Sequence, residues 1–268
     1  MLLPPSEGKQ AVTRRRRPVD LASLSWPELS SARSVVLAAL AEASARPDAL
    51  RTLGVGASLA AEVERNTRLL TQPAVPASEL YTGVLYEALD LAGLPADSRR
   101  RAVRRIVVVS ALWGALRLND RVPAYRLSMG TSLAGVGPLA AFWRPLLDGP
   151  LARAAGAGLV VDCRSSTYQA AWSPKDRIAS RTVAVRVLRD DAGRRTVVSH
   201  MAKQTRGEVV RHLLTRAGTE PRSPRALADA VAERFACEIA APPRAGGTWT
   251  LDVVVPALTS GPVPDVGA

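Results

Sequence analysis

Short runs of apolar, largely β-branched residues occur at wide intervals along this chain, and amphipathic stretches separate them. The run Ile106–Val109 is uninterrupted, as expected of a strand buried on both faces. Val183, Val185 and Val187 alternate with other residues, and a turn at 190–193 then leads into 196–198, which predicts a hairpin. Further strands are predicted at 1–3, 159–162 and 249–255. Strands spaced in this way among helices predict an α/β fold, with a mixed sheet surrounded by helices.

The stretches between these runs have helical periodicity. Apolar residues recur at helical spacing between Leu29 and Ala43, with Ser25 as a candidate cap and Pro27 in the first turn. The same reasoning predicts helices at about 58–69, 138–155, 208–217 and 223–235, the last one capped by Ser223. The arginines between 99 and 105 are read as the exposed end of another helix.

A glycine-containing turn joins the first two of these helices. Leu50–Gly56 has an apolar-Gly-apolar-Gly pattern, which is typical of a helix-hairpin-helix element over about residues 36–69. Gly54 and Gly56 would let the chain turn with its amides outward, and the next helix N-terminus would favour a phosphate. The alternative is a plain helix connection in which a glycine caps the first helix.

The bulk composition restricts the class of protein. Because glycine and proline are not gathered into a linker, one domain over residues 1–255 is expected, followed by a disordered tail at 256–268. No apolar run is long enough to span a bilayer and no secretion signal is recognisable, so a cytoplasmic protein without a membrane partner is expected. Two cysteines in such a chain are expected to be reduced.

The charge is strongly basic. The formal net charge is +12, with 36 basic residues against 24 acidic ones. This balance favours a polyanionic partner, although genome composition and solubility alone can also produce it. Lysine occurs only at Lys9, Lys175 and Lys203, and the other 33 basic residues are arginine. A rare lysine in such a chain is a candidate for a position where a compact amine with an adjustable pKa is needed, and two of the three, Lys9 and Lys203, fall in polar segments dense in functional groups.

Polar segments follow several predicted strands, where α/β sheets place their ligands. Lys9 and Lys203 are both read as lying in loops of this kind, and together with Arg126, Arg206 and Asp120 they are predicted to share one anion site. The residues predicted to bind a nucleic acid or another anion are Ser6, Lys9, Gly54, Gly56, Tyr81, Thr82, Tyr125, Arg126, Arg164, Tyr168, Lys203 and Arg206. If the protein is an enzyme, Lys9, Asp120 and Lys203 are the catalytic candidates. The tyrosine rings are candidates for stacking on bases, and the arginines for bidentate recognition of phosphate.

No metal or cofactor is predicted. His200 and His212 are the only histidines, and neither has a second histidine or a cysteine at ligand spacing. Walker loops and catalytic-triad patterns are absent from the sequence.

Taken together, these segments resemble those of the YaaA-type peroxide stress protein family. The resemblance rests on PPSEGK, YTG, SALWGALRLNDRVPAYRLSMG, FW, VVDCRSSTY and MAKQTRG, which occur in this order from Met1 to about Leu214. It implies a YaaA-like fold with a helix-hairpin-helix element and a positively charged cleft. It also implies DNA binding and a role in limiting iron-driven oxidative damage.

Three functions follow as hypotheses. The first is DNA binding, to duplex or distorted DNA, by a monomer that uses the basic cleft. The second is an enzyme acting on a nucleobase, a nucleotide or a small anion, in which Lys9 or Lys203 supplies the amine and Asp120 the carboxylate. The third is a scaffold whose arginine-rich face binds an acidic protein, which requires nothing of Lys9.

Overall fold

The structure, a computed structural model, describes residues 1–10, 16–191, 194–197 and 199–256. Its strands are β1 (Leu2–Leu3), β2 (Val75–Pro76), β3 (Val107–Ser110), β4 (Gly114–Arg117), β5 (Arg121–Val122), β6 (Ser132–Leu133), β7 (Gly137–Pro138), β8 (Val160–Asp162), β9 (Thr182–Asp191), β10 (Arg194–Val197), β11 (Cys237–Ala240) and β12 (Trp249–Pro256). Its α-helices are α1 (Ser30–Ala45), α2 (Ala49–Thr52), α3 (Ala60–Arg65), α4 (Ala77–Leu80), α5 (Val84–Leu89), α6 (Ala96–Arg105), α7 (Leu139–Ala155), α8 (Ser166–Gln169), α9 (Asp176–Ala179), α10 (Ser199–Thr215) and α11 (Pro224–Ala232). Short 3-10 helices cover Leu21–Ser23, Pro27–Leu29, Ala57–Leu59 and Asn66–Thr71.

The main sheet has the strand order β11-β12-β9-β8-β1-β3-β4, and β10 pairs with β9 outside this path. The five inner strands are parallel to one another. Strands β4, β10 and β11 are antiparallel to their neighbours. This arrangement confirms the predicted α/β fold with a mixed sheet, and the β9–β10 pairing confirms the predicted hairpin.

The two-residue strand β1 lies in the middle of this sheet. Leu2 pairs with Val107 on one side and with Asp162 on the other. Because β1, β3 and β8 are parallel, the loops that begin after Leu3, Ser110 and Asp162 all open on the same edge. Open α/β sheets bind their ligands at this carboxyl edge.

Helix α10 begins well before the helix that the sequence predicts from Glu208. The predicted loop through His200–Gly207 is wrong, so Lys203 lies on a helix and not in a loop after a strand. Gly207 is instead required by close packing between α10 and α5. A Cβ atom added to Gly207 would lie 2.2 Å from the carbonyl oxygen of Leu85.

The predicted helix-hairpin-helix region contains two very short helices, α2 and α3, and the element is not confirmed. Gly54 has φ +66° and its N–H donates to the Arg51 carbonyl at 3.1 Å. The Val55 N–H donates to the Leu50 carbonyl at 2.9 Å. These bonds are those of a Schellman cap, which ends a helix with a glycine in the left-handed conformation. The geometry therefore matches the alternative interpretation, a glycine that caps α2.

Other helix boundaries agree more closely with the sequence. Helix α7 occupies nearly all of its predicted range, and in α11 the Ser223 hydroxyl accepts the predicted capping bond from the Ala226 N–H at 3.2 Å. Helix α1 starts at Ser30, after a 3-10 helix that contains Pro27.

Three further predictions concern the chain as a whole. Within the described ranges, none of the helices combines the length and the hydropathy needed to cross a membrane. Cys163 and Cys237 are free thiols. The predicted tail lies outside the described residues from 257 onward.

Candidate functional site

Lys9 lies in the segment that follows β1, and an isolated antiparallel bridge joins it to Tyr81. The Ser6 hydroxyl oxygen accepts a hydrogen bond from the Thr82 N–H at 3.0 Å, which fixes this segment against the residues after α4. The Lys9 amine donates to the carbonyl oxygens of Ser6, at 2.9 Å, and Glu7, at 3.4 Å. The two segments thus form one unit around the amine.

Two tyrosine rings lie close to the Lys9 amine. Its nitrogen is 4.2 Å from the centre of the Tyr125 ring and 5.9 Å from the centre of the Tyr81 ring. Burial, followed by the positive charge of Arg126, lowers the pKa of Lys9 from 10.5 to about 7, and the Glu62 carboxylate partly opposes this shift. Near neutral pH the amine is therefore divided between its charged and neutral forms. A neutral lysine amine is a nucleophile and a base.

A chain of buried hydroxyl groups continues from the two rings. The Tyr125 hydroxyl is 3.1 Å from that of Tyr81 and 2.7 Å from the Ser110 hydroxyl. The Ser110 oxygen also accepts from the N–H groups of Leu112 and Trp113, both at 3.2 Å. Because these bonds occupy its two lone pairs, Ser110 donates its own hydrogen to Tyr125. Burial raises the pKa of Tyr81 and of Tyr125 well above 10, so the hydroxyl groups of this hydrogen-bonded series stay neutral.

The prediction that Tyr81 and Tyr125 stack on bases is not supported. The two residues are only 3% and 2% exposed. Tyr81 lies against the ring of Tyr86, and Tyr125 is in edge contact with Trp113. They support the Lys9 amine from the interior and offer no open face.

Arg126 supplies a second cation beside Lys9. Its Nη1 atom donates to the Glu7 carbonyl at 3.0 Å and lies 3.7 Å from the Glu62 carboxylate. Its Nη2 atom is 3.7 Å from the Glu7 carboxylate. Tyr168, whose pKa is raised by burial to about 12, is within electrostatic range of both Arg126 and Glu7. An anion that bound here would meet an amine and a guanidinium, and it would compete with two carboxylates.

The structure thus gathers seven of the predicted residues into one group, which we call the Lys9 cluster. Its members are Ser6, Lys9, Tyr81, Thr82, Tyr125, Arg126 and Tyr168. The cluster also includes Glu7 and Glu62, which interact with Arg126.

Asp120 does not belong to the Lys9 cluster. One carboxylate oxygen accepts from the Ser25 N–H at 3.0 Å and from the Ser25 hydroxyl at 2.9 Å. The other accepts from the Arg117 N–H at 2.7 Å. The buried carboxylate therefore joins the segment before α1 to the end of β4. The predicted Ser25 cap is wrong, because the Ser25 hydroxyl donates to Asp120 and Trp26 precedes the 3-10 helix. The catalytic role predicted for Asp120 has no geometric support, since no contact joins it to Lys9 in the part of the chain described.

Arg164 is buried and fully engaged within the protein. Its Nε and Nη2 atoms donate to the two carboxylate oxygens of Asp162, at 2.9 and 2.7 Å. Nη1 and Nη2 also donate to the carbonyl oxygens of Tyr168 and Trp172. In this arrangement Arg164 orders the loop after β8, and an anion cannot reach its guanidinium.

Two other predicted cations lie on α10. Lys203 is exposed, and among the described residues no contact joins it to Lys9. Arg206 is half-buried, and its Nε donates to the Val185 carbonyl at 3.1 Å. Its charge also acts on Cys163, the residue after β8, where it partly opposes the rise in the thiol pKa that burial causes. Of the five residues predicted to share one anion site, the structure thus brings together only Lys9 and Arg126.

Sequence reasoning missed Glu62, Asn66 and Ser110 as individual members of this region. Asn66 is 1% exposed and forms hydrogen bonds with the backbone of Arg126. A lone asparagine inside a helical pattern was the only signal for it in the sequence.

Two hollows lie apart from the predicted site residues. One, of about 530 Å³, is at the amino edge of the sheet and is lined by Leu2, Val107, Val160, Trp172 and Leu227 among others. The other, of about 550 Å³, lies between α5 and α10, where Glu87, Glu208 and Arg211 contribute to its walls.

The family model described as peroxide stress protein YaaA matches residues 1–239. The chain belongs to this family. The resemblance found in the sequence motifs is thereby confirmed, and the match includes every member of the Lys9 cluster.

Similar proteins of the UPF0246 group occur in several bacteria. One from Streptomyces coelicolor is 50% identical over 258 residues, which covers 95% of this chain and 98% of that protein. One from Corynebacterium glutamicum is 40% identical over 217 residues, covering 80% and 84%. One from Cereibacter sphaeroides is 37% identical over 161 residues, covering 58% and 62%. The similarity to the Streptomyces and Corynebacterium proteins thus covers most of the chain, whereas that to the Cereibacter protein covers little more than half.

Proposed function

We propose that this member of the YaaA family binds DNA without sequence preference and in that way limits iron-driven oxidative damage during peroxide stress. The observation that carries the proposal is the placement of Lys9 and Arg126 together at the carboxyl edge of the sheet. A guanidinium beside an amine is well suited to hold a phosphate oxygen.

The remaining charge supports this reading. The chain carries a net charge of +12, and Arg51 and Arg68, which form surface ion pairs with Asp48 and Glu64, keep 85% and 62% of their side chains exposed. Exposed arginines of this kind attract a phosphate backbone without reading its sequence. Glu7 and Glu62 lie 3.7 Å from the Arg126 guanidinium, and a bound phosphate would compete with them for it.

The test is a fluorescence titration of duplex DNA with the full chain at several salt concentrations. We expect the logarithm of the binding constant to fall linearly with the logarithm of salt concentration, and Arg126→Gln and Lys9→Met each to reduce the slope by about one. Lys175→Met is the matched control, because Lys175 is an exposed lysine paired with Asp148. Binding that does not respond to salt, or an equal effect of the control, would refute the proposal.

A second candidate function is favoured by the environment of the Lys9 amine. An amine with a pKa of about 7 can attack the aldehyde carbon of an abasic deoxyribose, releasing water and forming an imine. Glu62 and Glu7 are the carboxylates whose charges act on the Lys9 amine, and they replace Asp120 as the candidates to move the protons of that step.

Trapping with borohydride separates this chemistry from binding. Borohydride supplies a hydride that reduces the imine to a stable amine, so an adduct with abasic DNA would be visible by mass. Lys9→Arg keeps the positive charge but removes the titratable amine. If binding persists in Lys9→Arg and the adduct disappears, Lys9 reacts; if the parent protein forms no adduct, the candidate is discarded.

A further inference from the structure

Asn66 is a buried amide at the point where α3 ends, and it pairs with both backbone groups of Arg126. Its Oδ1 atom accepts a hydrogen bond from the Arg126 N–H at 2.9 Å. Its Nδ2 atom donates to the Arg126 carbonyl at 2.9 Å and to the Ser44 hydroxyl oxygen at 3.2 Å. An amide that satisfies both groups of one residue fixes that residue much as a neighbouring strand would.

Glu62 lies four positions before Asn66 and therefore on the same helical face. Its carboxylate is 3.7 Å from the Arg126 guanidinium. One face of the α3 segment thus holds the main chain of Arg126 through Asn66 and its side chain through Glu62.

These two contacts keep Arg126 in place against electrostatic repulsion from Lys9. Burial lowers the pKa of Lys9 most, and repulsion from the like charge of Arg126 lowers it further. A repelled arginine on a loop would move away into solvent. The ion pair of Arg126 with the Glu7 carboxylate is a weak restraint, because the Glu7 side chain is 75% exposed. The hydrogen bond from Arg126 to the Glu7 carbonyl is exposed as well. The restraint that water does not weaken is the buried amide of Asn66.

We propose that Asn66 is a positioning residue: by fixing the main chain of Arg126, it keeps the Arg126 guanidinium beside Lys9. Through this contact the helical region 36–69 serves the anion site, as the support of Arg126. The consequence for DNA rests on the function proposed above, whereas the consequence for Lys9 does not.

The test uses the scarcity of lysine in this chain. Reductive methylation with ¹³C-formaldehyde gives three lysine signals, of which Lys175 and Lys203 serve as internal references. We expect Asn66→Ala to raise the pKa of Lys9, because the arginine charge moves away. Glu62→Gln should lower it, because a carboxylate that favours the ammonium form is lost.

A double-mutant cycle distinguishes positioning from general loosening. In an Arg126→Gln background, Asn66→Ala should leave the Lys9 titration unchanged. An equal rise with and without Arg126 would overturn the proposal. If Asn66→Ala does not fold, Asn66→Asp can be used, because it keeps the acceptor and the volume. Its new charge acts directly on Lys9, and the same substitution in the Arg126→Gln background measures that direct effect so that it can be subtracted.

DNA binding is measured on the same variants. Asn66→Ala should reduce the salt slope by about one, as Arg126→Gln does. If even the parent protein shows no DNA binding, the proposed function fails, while the Lys9 titration still decides the role of Asn66.

Discussion

Replacing Lys9 with methionine should change how the stability of the protein depends on pH. Below about pH 7 the amine is protonated in both the folded and the unfolded chain, so its burial penalty is constant. Between about 7 and 10.5 only the unfolded chain binds the proton. The unfolded state then holds more protons, and the free energy of unfolding rises with pH.

The size of the effect follows from the shift. Each unit of pKa corresponds to 1.36 kcal/mol, so the free energy of unfolding should gain at most about 1.4 kcal/mol per pH unit and about 5 kcal/mol over the whole interval. These are upper bounds, because Lys9 keeps part of its surface exposed and solvent screens its charge. Lys9→Met has no amine and should lack this gain.

The assay is urea unfolding of the parent protein, Lys9→Met and the control Lys175→Met at pH values from about 6 to 9.5. The upper limit keeps most tyrosines of the unfolded chain protonated, because their pKa is about 10 and their ionisation acts in the opposite direction. The difference between the parent and Lys9→Met should grow with pH, while Lys175→Met should follow the parent. A difference independent of pH would show that the amine is solvated and would remove the basis for its reactivity.

Other variants test the structural assignments, each by urea unfolding. Arg164→Ala should destabilise by about 3 to 5 kcal/mol, because it leaves the buried Asp162 carboxylate without its partner. Gly207→Ala should destabilise the protein by about 1 to 3 kcal/mol, the range for an overpacked core, because the added Cβ atom would clash with the Leu85 carbonyl. Asp120→Ala should lose about 1 to 3 kcal/mol for each N–H that it leaves unsatisfied, with no change in the Lys9 titration. Little effect of any one of these changes would contradict the corresponding contact.

The strands and most helices could be predicted because their signals are local. The uninterrupted run at Ile106–Val109 and the cap at Ser223 each specify their own conformation without reference to distant residues. Helix α10 could not be predicted in full, because the reason for Gly207 is a neighbouring helix and not a turn. The same limitation applies to Gly54, whose pattern fits either a hairpin or a capped helix.

Only part of the candidate site could be predicted, because a sequence shows the types of its residues but not which residues they contact. The sequence shows that Lys9 and Arg126 are unusual in type or context, but the partners of a charged residue depend on the fold. Asp120 and Arg164 have the chemistry of site residues, yet both use it within the interior. Asn66, in contrast, is uncharged and is not marked as a site residue by its type. Its role follows only from its hydrogen bonds to the backbone of Arg126, which the fold creates.

The central place of β1 bears on how the protein is made. Leu2 and Leu3 are synthesised long before their partners, which are β3, starting at Val107, and β8, ending at Asp162. Pairings between residues so far apart in sequence form late and slowly. Lys9 is therefore solvated, as in any unfolded chain, until the middle of the chain has been made. Its amine acquires a lowered pKa only when that part of the chain folds around it.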